Sequence, residues 1–84
     1  MTNDVTVSYI PHMKKPTASH TRLVANLKRL RGERNLTQAQ LADRAGLNRV
    51  YVTLLEGGNR KNPSLEALDQ LADALGVSVI DLLR

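Results

Sequence analysis

Residues 36–58, with the sequence LTQAQLADRAGLNRVYVTLLEGG, constrain the fold more than any other stretch of the chain. Thr37 and Gln40 have the T-x-x-Q spacing of a capping box, which predicts that a helix begins there. Gly46 follows this first short helical pattern, at a point where a sharp turn favours a residue without a Cβ atom. Asn48 then caps a second short pattern, which ends at a pair of glycines. The stretch therefore predicts two short helices joined by a tight turn.

Helical hydrophobic patterns continue on both sides of this stretch, and together they predict an all-α fold of five helices. A first helix is expected from about Thr21 to Arg34, with Asn35 as its left-handed terminator. Ser64 caps a fourth helix that ends at Leu75, and Ser78 begins a short fifth helix. The leucines of the first helix at helical spacing are Leu23, Leu27 and Leu30. The apolar stripe expected on the fourth helix contains Leu65, Leu68, Leu71, Ala72 and Leu75.

The composition restricts both the core and the chemistry. Eighty-four residues allow one domain, and with no Phe, no Trp and two Tyr its core must be aliphatic. The absence of Cys excludes disulfides and thiolate metal sites. His12 and His20 have no clustered partners, so both are expected to be solvated, with no metal and no cofactor. Nothing resembles a signal peptide or approaches a membrane span, which favours a cytoplasmic protein.

Charge is distributed unevenly along the chain. Between residues 14 and 61 eleven Lys or Arg face three acids, whereas residues 62–84 contain four acids and one Arg. Two solvated faces would explain this distribution. A basic surface for a polyanion, with the acidic end turned away from it, explains it equally well and agrees with the motifs described below.

The first nineteen residues differ from the rest and are predicted to be a flexible basic arm, with the folded domain in residues 20–84. Asp4 to Ile10 alternates loosely, Pro11 and Pro16 interrupt the chain, and a lysine pair lies between them. Such an arm would track phosphates or reach into a groove, but a solvated tail fits equally well. A strand that pairs with its twin in a dimer is a weaker alternative.

Residues 23–83 resemble the Cro/C1-type helix-turn-helix family, also called the Xre family, of phage repressors and bacterial regulators. The resemblance rests on three segments in order: LRGERNLTQAQLA, AGLNRVYVTLLEGG and NPSLEALDQLADALGVSVIDLL. It implies a compact, lambda-repressor-like five-helix domain. It also implies a transcriptional regulator, a repressor or autoregulatory controller, that binds double-stranded DNA through the major groove. As a homodimer, such a protein would read a palindromic operator.

The resemblance also implies which residues would meet DNA. Gln38 would contact a phosphate and brace the second helix of the motif, and Arg49 would contact guanine or a phosphate. Asn48 is first a helix cap, and a structural role is favoured for Tyr51. The full predicted set is Gln38, Asn48, Arg49, Val50, Tyr51, Thr53, Leu54, Asn59, Arg60 and Lys61, with Asn62 in the same loop.

Two aliphatic residues depart from the family pattern, which usually has polar side chains at their positions. Val50 and Leu54 would pack on thymine methyl groups if this helix faces DNA. They would instead be covered by a protein surface if the domain acts as an antitoxin-like interaction module, which is the alternative function.

A salt bridge within the domain and a dimer interface are also predicted. By resemblance, Arg31 and Glu56 would form a structural salt bridge between the first and third helices. The apolar residues at the end of the chain are a candidate dimer interface, although some of them must complete the core: Val79, Ile80, Leu82 and Leu83.

Catalysis is not expected, because the chain has no Cys, no glycine-rich phosphate loop and no Ser/His/carboxylate set. RNA binding ranks last, since aromatic residues for base stacking are scarce.

Overall fold

The computed structural model describes residues 17–84, and within that range it consists of five α-helices without a β-strand. The helices are α1 (Ala18–Glu33), α2 (Gln38–Ala45), α3 (Arg49–Glu56), α4 (Leu65–Leu75) and α5 (Val79–Leu83). The predicted all-α, five-helix architecture is therefore confirmed. The prediction of a flexible arm falls almost entirely on residues 1–16, which lie outside the described residues.

Helix α1 begins three residues earlier than the sequence pattern indicated. Thr17 is its N-cap, and the Thr17 hydroxyl accepts a 3.0 Å hydrogen bond from the backbone N–H of His20. Ala18 and Ser19, which were assigned to the arm, therefore belong to the helix. Asn35 ends this region with a φ of 55°, the left-handed conformation predicted for it.

The other helices begin at the caps that the sequence indicated. Thr37 and Gln40 form a reciprocal capping box at α2, and Ser78 and Asp81 form another at α5. Asn48 caps α3, and the Ser64 hydroxyl caps α4. Gly46 has a φ of 70°, so the chain turns there in a conformation that other residues adopt only with strain.

The core is aliphatic and lies between all five helices. Helix α2 packs against α3 and α4, whereas α1 packs against α5 and α3. The buried cluster contains Leu23, Leu27, Leu30, Leu36, Leu41, Ala42, Ala45, Val52, Leu55, Leu68, Leu71, Ala72, Leu75 and Leu82. Each fully buried leucine contributes about 1.5–3 kcal/mol relative to an exposed one. Burial on this scale holds the helices in one arrangement and fixes which face of α3 meets solvent.

Leu65 departs from the predicted apolar stripe of α4, because its side chain is 78% exposed. It is the first residue of the helix and lies two residues before Ala67, where the buried part of α4 begins. A polar contact that the sequence did not indicate fixes α5: the Asn26 amide donates to the carbonyl oxygens of Leu82 and Arg84, at 2.9 and 3.1 Å.

Among residues 17–84, no helix is both long enough and apolar enough to cross a membrane.

Candidate nucleic-acid interface

Helix α3 has a buried face and a free face. Val52, Leu55 and Glu56 are buried on the inner side. The predicted contact residues Arg49, Val50, Thr53 and Leu54 are all exposed. The sequence therefore produces a short helix whose outer side chains are available to a partner.

A buried carboxylate anchors the inner side of α3. Glu56 is 2% exposed, and it accepts hydrogen bonds from Arg31 Nε at 2.8 Å and from Arg31 Nη2 at 2.9 Å. Arg31 Nη1 also donates to the carbonyl oxygen of Leu36 at 2.8 Å. The hydrogen bond with Glu56 raises the pKa of Arg31, so the guanidinium keeps its charge. The structure thus brings together the two residues expected to form a salt bridge, and it ties α1 to the end of α3.

Gln38 connects α2 to α3 through both ends of its amide group. Its Nε2 donates to Glu56 Oε1 at 3.0 Å, and its Oε1 accepts from Thr53 Oγ1 at 2.8 Å. The bracing role expected for Gln38 therefore has a direct geometric basis. The hydroxyl hydrogen of Thr53 is committed to this bond, which leaves Thr53 able to accept but not to donate.

Asn48 caps the N-terminal end of α3. Its Oδ1 accepts a 2.7 Å hydrogen bond from the backbone N–H of Val50. Capping uses the oxygen of this side chain and leaves its NH₂ group for other partners. Because helix N-termini carry unpaired N–H groups and a partial positive charge, this end of α3 favours anions.

The loop after α3 is held against the helix that precedes it. Gly58 has a φ of 78°, and the Leu54 carbonyl oxygen accepts from the backbone N–H groups of Asn59 and Arg60, at 2.9 and 3.2 Å. The Arg60 guanidinium carbon lies 4.6 Å from the centre of the Tyr51 ring, a cation–π geometry. Asn59, Arg60, Lys61 and Asn62 are all exposed. The loop therefore places two cations beside the free face of α3.

His20 is buried, which contradicts the expectation of a solvated histidine. Its Nε2 lies 3.2 Å from the carbonyl oxygen of Arg60, so it donates a hydrogen bond that ties α1 to the loop. The spacing of residues 20, 23, 27 and 30 continues one helical stripe and would have indicated this burial. The sequence pattern placed the start of the first helix at Thr21, one residue after His20, and so left His20 outside this stripe. His12 lies outside the described residues.

The four candidate dimer residues differ in how far their side chains are exposed. Leu82 is fully buried and belongs to the core cluster. Val79 and Leu83 are half-buried and pack against the core. Ile80 is 66% exposed and is the main apolar group that α5 offers to a partner. Within the described part of the chain, no three His, Asp or Glu side chains are grouped as a metal site.

Comparison with known proteins places this geometry among DNA-associated proteins. A family model described as helix-turn-helix matches residues 27–82. An uncharacterized HTH-type transcriptional regulator, y4dJ, of Sinorhizobium fredii is 45% identical over 58 residues, which cover 69% of this chain and 74% of the relative.

Two further matches differ in how much of each protein they cover. The immunity repressor protein of Bacillus phage phi105 is 49% identical over 53 residues, which span 63% of this chain but only 36% of the repressor. The third match is the crystal structure of SinR, the master regulator for biofilm formation, in complex with DNA. The SinR chain in that structure is 31% identical in sequence to this chain. That match has a TM-score of 0.71 and covers 74% of this chain and 98% of the SinR chain.

Proposed function

The chain belongs to the helix-turn-helix family, and on that premise we propose that it is a transcriptional regulator that binds operator DNA as a homodimer. The observation that carries the proposal is the arrangement of α3, whose inner face is locked by Glu56 while its outer face is free. A cytoplasmic location and the absence of enzymatic activity are part of the proposal. Both rest on the family and on its regulator and repressor relatives.

The leading end of α3 supplies the first contacts with DNA. Arg49 is exposed and forms no ion pair within residues 17–84, so its guanidinium is available to guanine or to a phosphate. A bidentate contact with guanine discriminates by about 1–3 kcal/mol. The helix dipole and the remaining donors of Asn48 favour a phosphate at the same end.

The loop after α3 supplies contacts with the DNA backbone. Arg60 is held over Tyr51, and Lys61 follows it at an exposed position. Because the backbone N–H of Arg60 is hydrogen-bonded to the carbonyl oxygen of Leu54, the loop that carries these cations is held beside the outer face of α3. Contacts with phosphate set the position of such a protein on the duplex, and base contacts provide its specificity.

Dimer formation would involve Ile80, flanked by Val79 and Leu83. A two-fold dimer places its recognition helices about 34–36 Å apart, one helical turn of DNA, and therefore requires a palindromic site. Repression is the favoured direction of regulation, because a bound homodimer can exclude polymerase and an immunity repressor is among the relatives.

The experiment that tests the proposal is selection of bound sites from random duplex DNA, followed by measurement of affinity against salt. We expect a palindrome, and a negative slope of log K against log salt of about 0.9 per neutralised phosphate. Arg49→Ala should weaken binding to the selected site. Arg29→Ala is the matched control, because Arg29 is exposed and already paired with Glu33. Failure of the folded protein to enrich any sequence or to retard DNA at low salt would refute the proposal.

The oligomeric state is tested separately. Ile80→Glu should shift the protein to a monomer in sedimentation and weaken operator binding, because it places a charge in the proposed interface. Leu65→Glu changes a residue that is at least as exposed on α4, and this variant should remain dimeric. Unchanged sedimentation of Ile80→Glu would exclude α5 as the interface.

A further inference from the structure

The free face of α3 is unusually apolar for a surface flanked by cations. Large exposed hydrophobic residues occur at four positions in residues 17–84, and two of them, Val50 and Leu54, lie on α3. Val50 is 61% exposed and Leu54 is 37% exposed. They are four residues apart and therefore share one side of the helix.

Most polar side chains around this pair already form hydrogen bonds within the protein, although the NH₂ group of Asn48 remains available. Gln38 uses its amide oxygen for Thr53 and its amide nitrogen for Glu56. Thr53 donates its hydroxyl hydrogen to Gln38, and the Asn48 side-chain oxygen caps the helix. On α3 itself, the Arg49 guanidinium and the Tyr51 hydroxyl form no hydrogen bond within residues 17–84, and the Tyr51 ring is half-buried and covered by Arg60. Apart from Arg49, α3 therefore has few hydrogen-bond donors with which to distinguish one base pair from another.

We infer, on the basis of the proposed function, that α3 selects its operator through the C5-methyl groups of thymine, which pack on Val50 and Leu54. An occupant that combines negative charge with small apolar groups fits this surface, because Arg49 adjoins Val50 and the loop that carries Arg60 and Lys61 is hydrogen-bonded to the Leu54 carbonyl. The major groove has this combination, since thymine methyl groups lie between two rows of phosphates. Val50 and Leu54 are then specificity-determining residues.

The geometry of the helix limits the spacing of the two thymines. Four residues of α-helix rise about 6 Å. Successive base pairs are about 3.4 Å apart along the duplex. A helix lying along the groove would therefore bring Val50 and Leu54 to methyl groups about two base-pair steps apart. Each half-site should contain two thymines at roughly this spacing, close to the base that Arg49 contacts.

Replacement of thymine by uracil in the selected operator tests the inference. Uracil lacks only the C5-methyl group, so every hydrogen-bonding position on the base is kept. Burial of one methyl-sized group corresponds to roughly a three- to fivefold change in affinity. We expect a loss of that size at two thymines per half-site, measured by fluorescence anisotropy, and no loss at the other thymines.

Protein variants then assign each methyl group to a side chain. Val50→Ala should bind the thymine and uracil operators equally at one of the two positions, and Leu54→Ala should do so at the other. Leu65→Ala is the matched control, because it shortens an exposed leucine on a different helix and should keep full sensitivity to uracil. All three residues are exposed, so the variants should fold, which their circular dichroism will verify.

The outcomes separate this inference from the function on which it rests. Operator binding that is indifferent to uracil and to Val50→Ala would overturn the inference and leave the regulator function intact. If no sequence is enriched from random DNA, both the proposed function and the inference fail.

Discussion

Glu56→Gln should be one of the most destabilising isosteric changes in this protein. The carboxylate accepts three hydrogen bonds, two from Arg31 and one from Gln38. An amide at this position has one accepting oxygen, and its NH₂ group would face a donor of Arg31 or Gln38. The Arg31 guanidinium, whose side chain is only 22% exposed, would lose its counter-charge.

The magnitude follows from the burial of the pair. Removing one partner of a buried ion pair costs about 3–5 kcal/mol, and partial exposure of Arg31 favours the lower end. A domain of 84 residues has a total stability of roughly 4–13 kcal/mol. A loss of about 3 kcal/mol would therefore remove a large part of the total. It corresponds to a decrease in Tm of roughly 12–24 °C.

Urea denaturation followed by circular dichroism at 222 nm measures this loss directly. The matched control is Glu33→Gln, which breaks an exposed pair with Arg29 in which both side chains are 54% exposed. That change should cost less than about 0.5 kcal/mol. If the two variants were equally stable, the assignment of Glu56 as the anchor of α3 would be wrong.

Four further substitutions test other parts of the structure by the same assay. Leu27→Ala should cost about 2–5 kcal/mol by leaving a cavity in the core, and a cost below 1 kcal/mol would contradict its complete burial. Gly46→Ala should destabilise the protein by about 1 kcal/mol, because Gly46 has a φ of 70°. Gly32→Ala should instead stabilise the protein by up to about 1 kcal/mol, because a Cβ atom at this helical position would meet open space. Equal effects of the two substitutions would argue against a left-handed turn at Gly46. Hydrogen bonds from Ser78 lower the pKa of Asp81, so its contribution is complete above about pH 4 and disappears as the pH falls through the lowered value. The stability difference between the wild type and Asp81→Asn should shrink below pH 4, and a difference independent of pH would refute the role of the carboxylate.

Helix starts and stops were predictable because the atoms that set them are close in sequence. Thr37 with Gln40, and Ser78 with Asp81, are capping boxes closed within four residues. The same logic failed at the start of α1, where Thr17 was assigned to the arm although it is an ordinary cap. That error also hid the burial of His20, because the helical stripe was begun three residues too late.

Contacts between distant segments were less accessible from the sequence. The Arg31 and Glu56 pair could be expected only through the family resemblance, since 25 residues separate its members. Nothing local indicates that Asn26 holds the carbonyl of Leu82, 56 residues away. The burial of Leu82 beside the exposure of Ile80 depends on how α5 docks on α1, which a five-residue pattern does not specify.

The separation of buried from exposed positions on α3 also affects how the DNA specificity of this helix can change during evolution. The positions that the fold requires, Val52, Leu55 and Glu56, are interspersed with outward positions whose side chains are exposed, among them Val50 at 61% and Leu54 at 37%. Substitutions at Arg49, Val50 and Leu54 should therefore alter operator preference with little loss of stability. New preferences can then arise by single steps through folded intermediates, and duplicated copies of such a gene can diverge to independent targets. The same separation makes this helix a practical starting point for engineering orthogonal switches.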